Sequence, residues 1–506
     1  MNGRVLRLDP TDDVAVALVD LDPGAHLGEG LVVAEPVPRG HKVALRDLPP
    51  GAPLRKAAHP IGVAGVAIAA GSHVHTHNLA FVPQAIAAVA RDHGAADPVD
   101  AALATRRFDG FLRDDGRVGT RNFVGILTSV NCSATVARQI ARRFGDGGAV
   151  PGFPNVDGVC AFTHAGGCGM AHEGEGIDVL RRTLAGYARH PNFGGVLLIG
   201  LGCEVNQIDA LFAAEGLAAG ARLRTLSIQA AGGTLAAIEQ GSARVAELLA
   251  IADTDRRTAQ PLSALALGLQ CGGSDGWSGI TANPALGAAA DRLVAAGGSV
   301  VLSETPEIYG AEDLLLARAE SEAVAQRLRE RIAWWQDYAA RHGTDLNNNP
   351  SPGNLAGGIT TILEKSLGAV AKGGRGVLRD VLLYAQPVRR AGFQFMDTPG
   401  YDPCSATGQI AGGCNLMAFT TGRGAVFGAK PVPSIKLASN SLLAARQAED
   451  IDLDCGAIVE GATSIDAVGA RAFELLLEVA SGRRSASERL GFGEAEFVPW
   501  QLGAVM

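Results

Sequence analysis

The sequence predicts a small N-terminal all-β module followed by two doubly wound parallel-sheet α/β modules. Three observations predict it. A β repeat closed by glycine turns fills the first 80 residues, and from about residue 107 apolar runs of strand length alternate with helical stretches. Several of those runs then end in cysteine among small residues, as strands do when their carboxyl ends deliver side chains to the crevice where α/β sheets bind ligands.

Each element follows in order. Val16-Ala-Leu-Val-Asp-Leu-Asp-Pro-Gly24 recurs as Val43-Ala-Leu-Arg-Asp-Leu-Pro-Pro-Gly51, with a degraded echo at Val66-Ala-Ile-Ala-Ala-Gly71. Short β-rich runs closed by Pro-Gly or Gly turns read as a compact all-β module over 1–80. It ends in Gly71-Ser-His-Val-His-Thr-His-Asn78, where strand alternation puts His73, His75 and His77 on one face. The Ala-rich segment 81–106 reads as a partly helical linker. The second module, 107–256, is predicted as strand 123–130, helix 134–144, strand 158–163, helix 176–188, strand 195–200 and helix 207–219. A polar turn near 252–262 marks a boundary. The third module, 257–506, has strands predicted near 264–270, 299–303, 376–384, 392–396, 416–420 and 432–437. Between them Asn347-Asn-Asn-Pro-Ser-Pro-Gly-Asn354 reads as a loop of the kind that carries function or covers a site.

Bulk composition excludes several function classes. At 506 residues the chain exceeds one core. A net charge of −8 argues against nucleic acid as the main partner. No uncharged apolar stretch approaches the ~18 residues of a membrane span, and the start, MNGRVLRLDPTDD, lacks an apolar signal core. A cytoplasmic enzyme with a small-molecule substrate is expected. Eight cysteines in such a chain read as thiols or metal ligands rather than disulfides.

The candidate chemistry lies in a few clusters. Cys132, Cys203 and Cys271 each follow an apolar run, and a less regular run at Val159–Phe162 leads to His164 and Cys168. Soft thiolates suit iron, zinc or an iron–sulfur cluster, although the spacing matches no zinc ribbon or ferredoxin. The imidazoles of His73, His75 and His77 on one strand face can chelate a divalent ion or hold an anion, or stand as a solvated face. Arg117 and Arg121 lie in a glycine-containing loop and Arg423 in Thr421-Gly-Arg-Gly424; their planar forks suit a substrate carboxylate. Cys271-Gly-Gly-Ser-Asp-Gly-Trp-Ser-Gly-Ile-Thr-Ala-Asn-Pro284 reads as an anion-binding loop before a helix, yet fits neither the Walker nor the dinucleotide pattern. Glu304 and Glu307 end another strand and read either as surface carboxylates or as metal ligands or a base.

These motifs, in this order, resemble the altronate/galactarate dehydratase family of sugar-acid hydro-lyases. The resemblance rests on Gly71–Asn78, Asp115-Gly-Arg-Val-Gly-Thr-Arg-Asn122, Gly200-Leu-Gly-Cys-Glu204, Cys271-Gly-Gly-Ser-Asp275, Ser278-Gly-Ile-Thr-Ala-Asn-Pro284, Asn349-Pro-Ser-Pro-Gly-Asn354 and Thr421-Gly-Arg-Gly424. It implies a SAF (β-clip) N-terminal domain and dehydration of a 2,3-dihydroxy acid to a 2-keto-3-deoxy acid. It also implies a divalent metal: Fe2+ is expected, with Mn2+ or an iron–sulfur cluster as alternatives. Residues 60–62 and 75–78 look nearer to altronate dehydratases, while Asn131-Cys-Ser-Ala-Thr135 and Gly166-Gly-Cys-Gly-Met170 look nearer to the galactarate branch. A sulfolactate sulfo-lyase, the third relative, splits these modules into separate subunits. On this reading the metal is held by His75 and His77 or by Cys132, Cys168 and Cys203. Arg117, Arg121 and Arg423 bind the carboxylate, and Asp275, Ser278 and Asn283 hold sugar hydroxyls. His164, Glu204 and Lys436 are alternative general bases, and a homo-oligomer is expected.

Overall fold

The computed structural model describes residues 3–28, 30–83, 99–145 and 148–506. Much of the linker expected over 81–106 therefore lies outside the described residues; within it, Ala101–Ala104 forms one helical turn capped by Asp100. No helix among the described residues is long and apolar enough to cross a membrane.

The N-terminal module is built from small antiparallel sheets. Val5–Leu6, Val14–Ala17, Lys42–Ala44 and His73–Val74 form one, in that order, and Pro53–Lys56, His59–Ala64 and Leu79–Ala80 another. The sequence repeat has a structural counterpart. Val14–Ala17 and Lys42–Ala44 pair with each other, and Leu21 and Leu48, equivalent in the two copies, make matching bridges to Val37 and Ile68. The expected histidine strand is only two residues long, after which the chain turns.

Three strands, Val118–Gly119, Arg107–Leu112 and Arg257–Pro261, form an antiparallel sheet absent from the sequence reading. It ties the start of the second module to the start of the third. The second module's parallel sheet runs Gly158–Phe162, Phe123–Thr128, Phe193–Gly200, Leu223–Ser227. Its central strands are apolar on both faces because helices cover both. Ala134–Arg143 and Thr234–Ala252 pack on one side, with Val124, Ile140 and Leu248 in the same core. Glu175–Ala188 packs on the other, where Leu184 and Tyr187 meet Phe123 and Leu198.

The third module is a seven-stranded parallel sheet in the order Leu378–Leu382, Gly392–Met396, Ser299–Leu302, Ala266–Cys271, Leu416–Thr421, Ser434–Ala438, Leu453–Asp454. Helices Ala282–Ala295 and Ile465–Ala480 pack together on one face. Helix Asp402–Ala411 covers the other and meets Glu175–Ala188 of the second module so closely that a Cβ on Gly186 would lie 2.2 Å from the Ala411 carbonyl oxygen. An aromatic staple reinforces this contact. Phe497 packs on Tyr187, with centroids 4.6 Å apart, and on Phe162, while Trp500 stacks on Trp335 at 5.4 Å.

Candidate active site

Parallel strands present their carboxyl ends on one edge, so residues just beyond them converge. Cys271 ends the central strand of the large sheet. Glu304 follows the neighbouring strand, and the 3-10 turn Thr305–Ile308 brings Glu307 back beside it. One ligand atom from each of the three lies within 4.8 Å of the others, all buried. Glu304 takes a left-handed backbone, with φ of 71°, strained for a residue with a side chain and typical of a functional site. Its Oε1 is buried with no hydrogen-bond partner. Around them stand two ammonium groups. Lys365 Nζ lies 2.8 Å from Glu307 Oε1 and 2.7 Å from Asn349 Oδ1, and Lys372 Nζ lies 3.4 Å from Glu304 Oε2. Asp402 closes the group from the start of its helix: a Cβ on Gly272 would lie 2.4 Å from its Oδ2.

Burial and unequal neighbours separate these groups electrostatically. Burial, then the Glu307 charge, hold the Glu304 carboxyl well above the usual carboxylate range. Burial also presses Glu307 upward, but Lys365 and Lys372 outweigh it and keep its carboxyl below the usual value. Burial and the Glu307 charge push Asp402 up to about 7, and burial pushes the Cys271 thiol up to about 12. A buried pair of carboxyls driven in opposite directions is the arrangement that separates proton donor from acceptor. An orphaned oxygen, a thiol and a second carboxylate also fit a divalent transition ion, with sulfur favouring iron over magnesium or calcium.

Beside this group, a cavity of about 100 Å³ is lined by Cys271, Ser274, Asp275, Ser278, Asn283 and Lys365 among others. Asp275 is almost entirely committed: Oδ1 accepts from Ser278 Oγ and Ser439 Oγ, both at 2.9 Å, and Oδ2 from Asn440 Nδ2 at 3.1 Å. Gly422 is required opposite it, because a Cβ there would lie 2.1 Å from the Asp275 carboxyl carbon. Asn283 donates to the Gly368 carbonyl and accepts from Thr420. Arg423 is exposed on the adjoining turn, with its Nε 3.9 Å from where a Cβ on Gly353 would stand.

The N-terminal module docks on the segment that lines this cavity. Buried Lys42 and Lys56 both pair with Glu364, at 2.9 and 2.7 Å, and Lys42 also donates to the Gly358 carbonyl. His75 Nε2 lies 2.9 Å from the Leu355 carbonyl oxygen. His41, absent from the sequence reading, joins the three expected histidines: its Nδ1 is 3.0 Å from His73 Nε2, and its ring lies 5.1 Å from His75. His77 is exposed, 5.6 Å from His73 between ring centroids. Burial first, then neighbouring imidazoles, depress His41 to about 4 and His73 to about 3. Because these folded values lie below the unfolded 6.5, the neutral cluster contributes stability above pH 6.5 that is lost on acidification towards pH 4. A thermal melt followed across that window is expected to show Tm falling; a flat profile contradicts it.

The remaining sequence candidates lie elsewhere. Arg121 is buried and forms a two-pronged pair with Glu488, Nε to Oε1 at 2.6 Å and Nη2 to Oε2 at 2.8 Å, welding the second module to the third. Arg121→Lys keeps the charge but loses the fork, and is expected to cost about 1.5–3 kcal/mol in chemical denaturation, with no loss of turnover per folded molecule. Arg117 is exposed and pairs with Asp115. Both ring nitrogens of His164 are engaged, Nε2 with the Thr128 carbonyl and Nδ1 with the Gly166 N–H. Glu204 accepts from Ser129 Oγ and the Gly202 N–H, each at 2.6 Å. Lys436 donates to the Ala425 carbonyl and faces Asp450. Cys132, Cys168 and Cys203 are exposed at the carboxyl end of the second sheet, in a different module from Cys271. Sequence reading also missed Lys365, Lys372 and Asp402. The first two stand seven apart across a helix and its cap, a spacing that puts both on one face.

Comparison with known proteins agrees along the chain. Residues 3–81 match the altronate/galactarate dehydratase SAF domain, 110–253 the second domain of D-galactarate dehydratase/altronate hydrolase, and 262–505 the D-galactarate/altronate dehydratase C-terminal domain. The chain is 37% identical to the altronate dehydratase of Escherichia coli (strain K12), covering 97% of this chain and 98% of that protein. It is 36% identical to the altronate dehydratase of Bacillus subtilis (strain 168), covering 97% of each. It is likewise 36% identical to the Escherichia coli (strain K12) galactarate dehydratase (L-threo-forming), covering 95% and 93%. Fold and relatives together define a carbon–oxygen lyase, a hydro-lyase of sugar acids. Within that class, the chain belongs to the D-galactarate/altronate dehydratase family.

Proposed function

We propose that the protein dehydrates D-altronate to its 2-keto-3-deoxy acid, with Fe2+ held by Cys271, Glu304 and Glu307. The observation that carries this reading is the buried thiol–carboxylate group at the sheet's carboxyl end, with an orphaned Glu304 oxygen, opening beside a polar cavity. The names of the two relatives similar over 97% of the chain favour altronate.

Removing a proton next to a carboxylate builds up a second negative charge, which must be offset. Held by Cys271, Glu304 and Glu307, Fe2+ would supply Lewis acidity to offset that charge. Lys365 and Lys372 add two positive charges that are already in place, at no reorganisation cost. Arg423 takes the substrate carboxylate from the exposed side, while Ser278 and Asn283 face the hydroxyls. Asp402 accepts the α-proton and returns a proton to the leaving 3-hydroxyl, and the enol then tautomerises to the ketone. The Asp275 network sets the loop rather than the chemistry.

Anaerobic incubation of Fe2+-loaded protein with D-altronate and with galactarate tests this. A 2-keto-3-deoxy product with higher kcat/KM for D-altronate is expected. The reverse order overturns the substrate, and absence of product from either overturns the site's role.

A further inference from the structure

We infer that Lys56, beside a hairpin turn of the N-terminal module, binds the oxygen at the end of the sugar acid remote from its reacting carbons. This rests on the proposed dehydration and adds a substrate-binding residue from outside the two α/β modules. The cavity beside Cys271 is walled partly by the N-terminal module: Leu8, Lys56 and Ala57 line it together with Ser274, Asp275 and Lys365. One helix shows how the cavity reaches both partners. Glu364 and Lys365 are consecutive in Ile362–Ala371, about 100° apart around its axis, and pair with Lys56 and Glu307 respectively. The cavity therefore runs from the thiol–carboxylate group to the hairpin.

The two ammonium groups of this interface are not equally satisfied. Lys42 Nζ donates to the Gly358 carbonyl at 2.6 Å and to the two Glu364 oxygens at 3.1 and 2.9 Å. Lys56 Nζ makes one hydrogen bond among the described residues, 2.7 Å to Glu364 Oε1, although its side chain is only 9% exposed. An ammonium so nearly out of water, with two N–H groups unpaired, is costly unless a ligand oxygen in the cavity completes it. In the trio Lys42, Lys56 and Glu364, two positive groups face one carboxylate, and the charge left over suits an acid.

The turn next to Lys56 is held under strain. Lys56 pairs with His59, so Ala57 and Ala58 form a two-residue hairpin loop, with φ of 53° and 64°. Such loops favour Asn and Gly, because a β-carbon is disfavoured at positive φ. Among the described residues two other non-glycine positions share this feature, and one is Glu304 beside Cys271. Strain of this kind persists where surrounding bonds over-determine it, and it gathers at ligand sites. Here Ala58 N–H donates to Asp12 Oδ1 at 2.8 Å and Arg55 N–H to Asp13 Oδ2 at 2.9 Å. Both aspartates lie on the segment that follows Leu8, so turn and segment are fixed together as one wall of the cavity.

Lys56→Met leaves the Lys42–Glu364 pair in place. Anaerobic Fe2+-loaded protein is tested with D-altronate and with its 6-deoxy analogue, which lacks the terminal hydroxyl. Two readouts are taken: KM in turnover, and the half-saturating concentration in a ligand-induced shift of Tm, which needs no turnover. For D-altronate the variant is expected to raise both about 10–100-fold, as loss of a charged hydrogen bond does, with kcat near the parent's. For the 6-deoxy analogue both values should match the parent's. Equal weakening of the two ligands, or of neither, overturns the role of Lys56. Selective weakening without product supports Lys56 while overturning the dehydration. A parent whose Tm neither ligand shifts, and which forms no product, overturns both. Should Lys56→Met not fold, Ala57→Asn, which suits a left-handed backbone, narrows the same wall. It should raise KM for D-altronate, and an unchanged KM overturns the inference.

Discussion

Asp402→Asn is expected to lower kcat by about 10²–10⁴-fold, the usual contribution of a positioned acid or base, while leaving KM nearly unchanged. The carboxyl lies against Gly272, and burial with the Glu307 charge pushes it up to about 7. A group with that affinity can both take and return a proton at neutral pH. Asparagine keeps its shape and removes only its ionisation. It also removes a like charge from a crowded acidic site, so Tm should stay level or rise, as expected where a site gives up stability for function. A kcat within a few-fold of the parent would exclude Asp402 from proton transfer.

Glu364→Ala is expected to be the most destabilising single change, by about 3–5 kcal/mol, the range for removing one partner of a buried ion pair. The carboxylate serves two ammonium groups: Lys42 is fully buried and Lys56 nearly so, and Thr360 donates to Glu364 Oε2 as well. Burial alone would raise Glu364, but the two lysines outweigh it and hold it well below its ordinary 4.5. The pairing therefore contributes above that pH and is lost as pH falls below it. In the variant, two ammonium groups remain in a dry interface with one carbonyl between them. Calorimetry should show a large fall in Tm, and hydrogen exchange should rise first over residues 3–81. A shift no larger than that of the exposed-site control Glu449→Ala would show that the pair does not hold the module.

Much of the architecture was legible because parallel strands buried on both faces read as unbroken apolar runs, as at Phe193–Gly200 and Leu416–Thr421. Leu223–Ser227 escaped notice for the opposite reason: as an edge strand it carries Arg224 and Thr225 and is only partly buried. The antiparallel sheet at Arg107–Leu112 and Arg257–Pro261 joins segments far apart in sequence, and its polar outer positions give no apolar run. Cys271 and Glu304 stood out because each follows a strand directly, yet the sequence placed the metal on other residues and left Glu304 open as a surface carboxylate. His41 was hidden because it reaches His73 only through the pairing of Lys42 with Val74. Arg121 shows the limit of composition: a guanidinium in a glycine-containing loop suits a ligand carboxylate and the chain's own Glu488 equally well, and only packing distinguishes them.

The aromatic staple bears on how the polypeptide reaches this state during synthesis. Phe162 and Tyr187 emerge from the ribosome long before Phe497. The second module's sheet can therefore assemble early, but one of its greasy flanks must wait until translation has nearly run its course. Closing so distant a contact is entropically slow, which marks that flank as the surface a chaperone would shield in the interval.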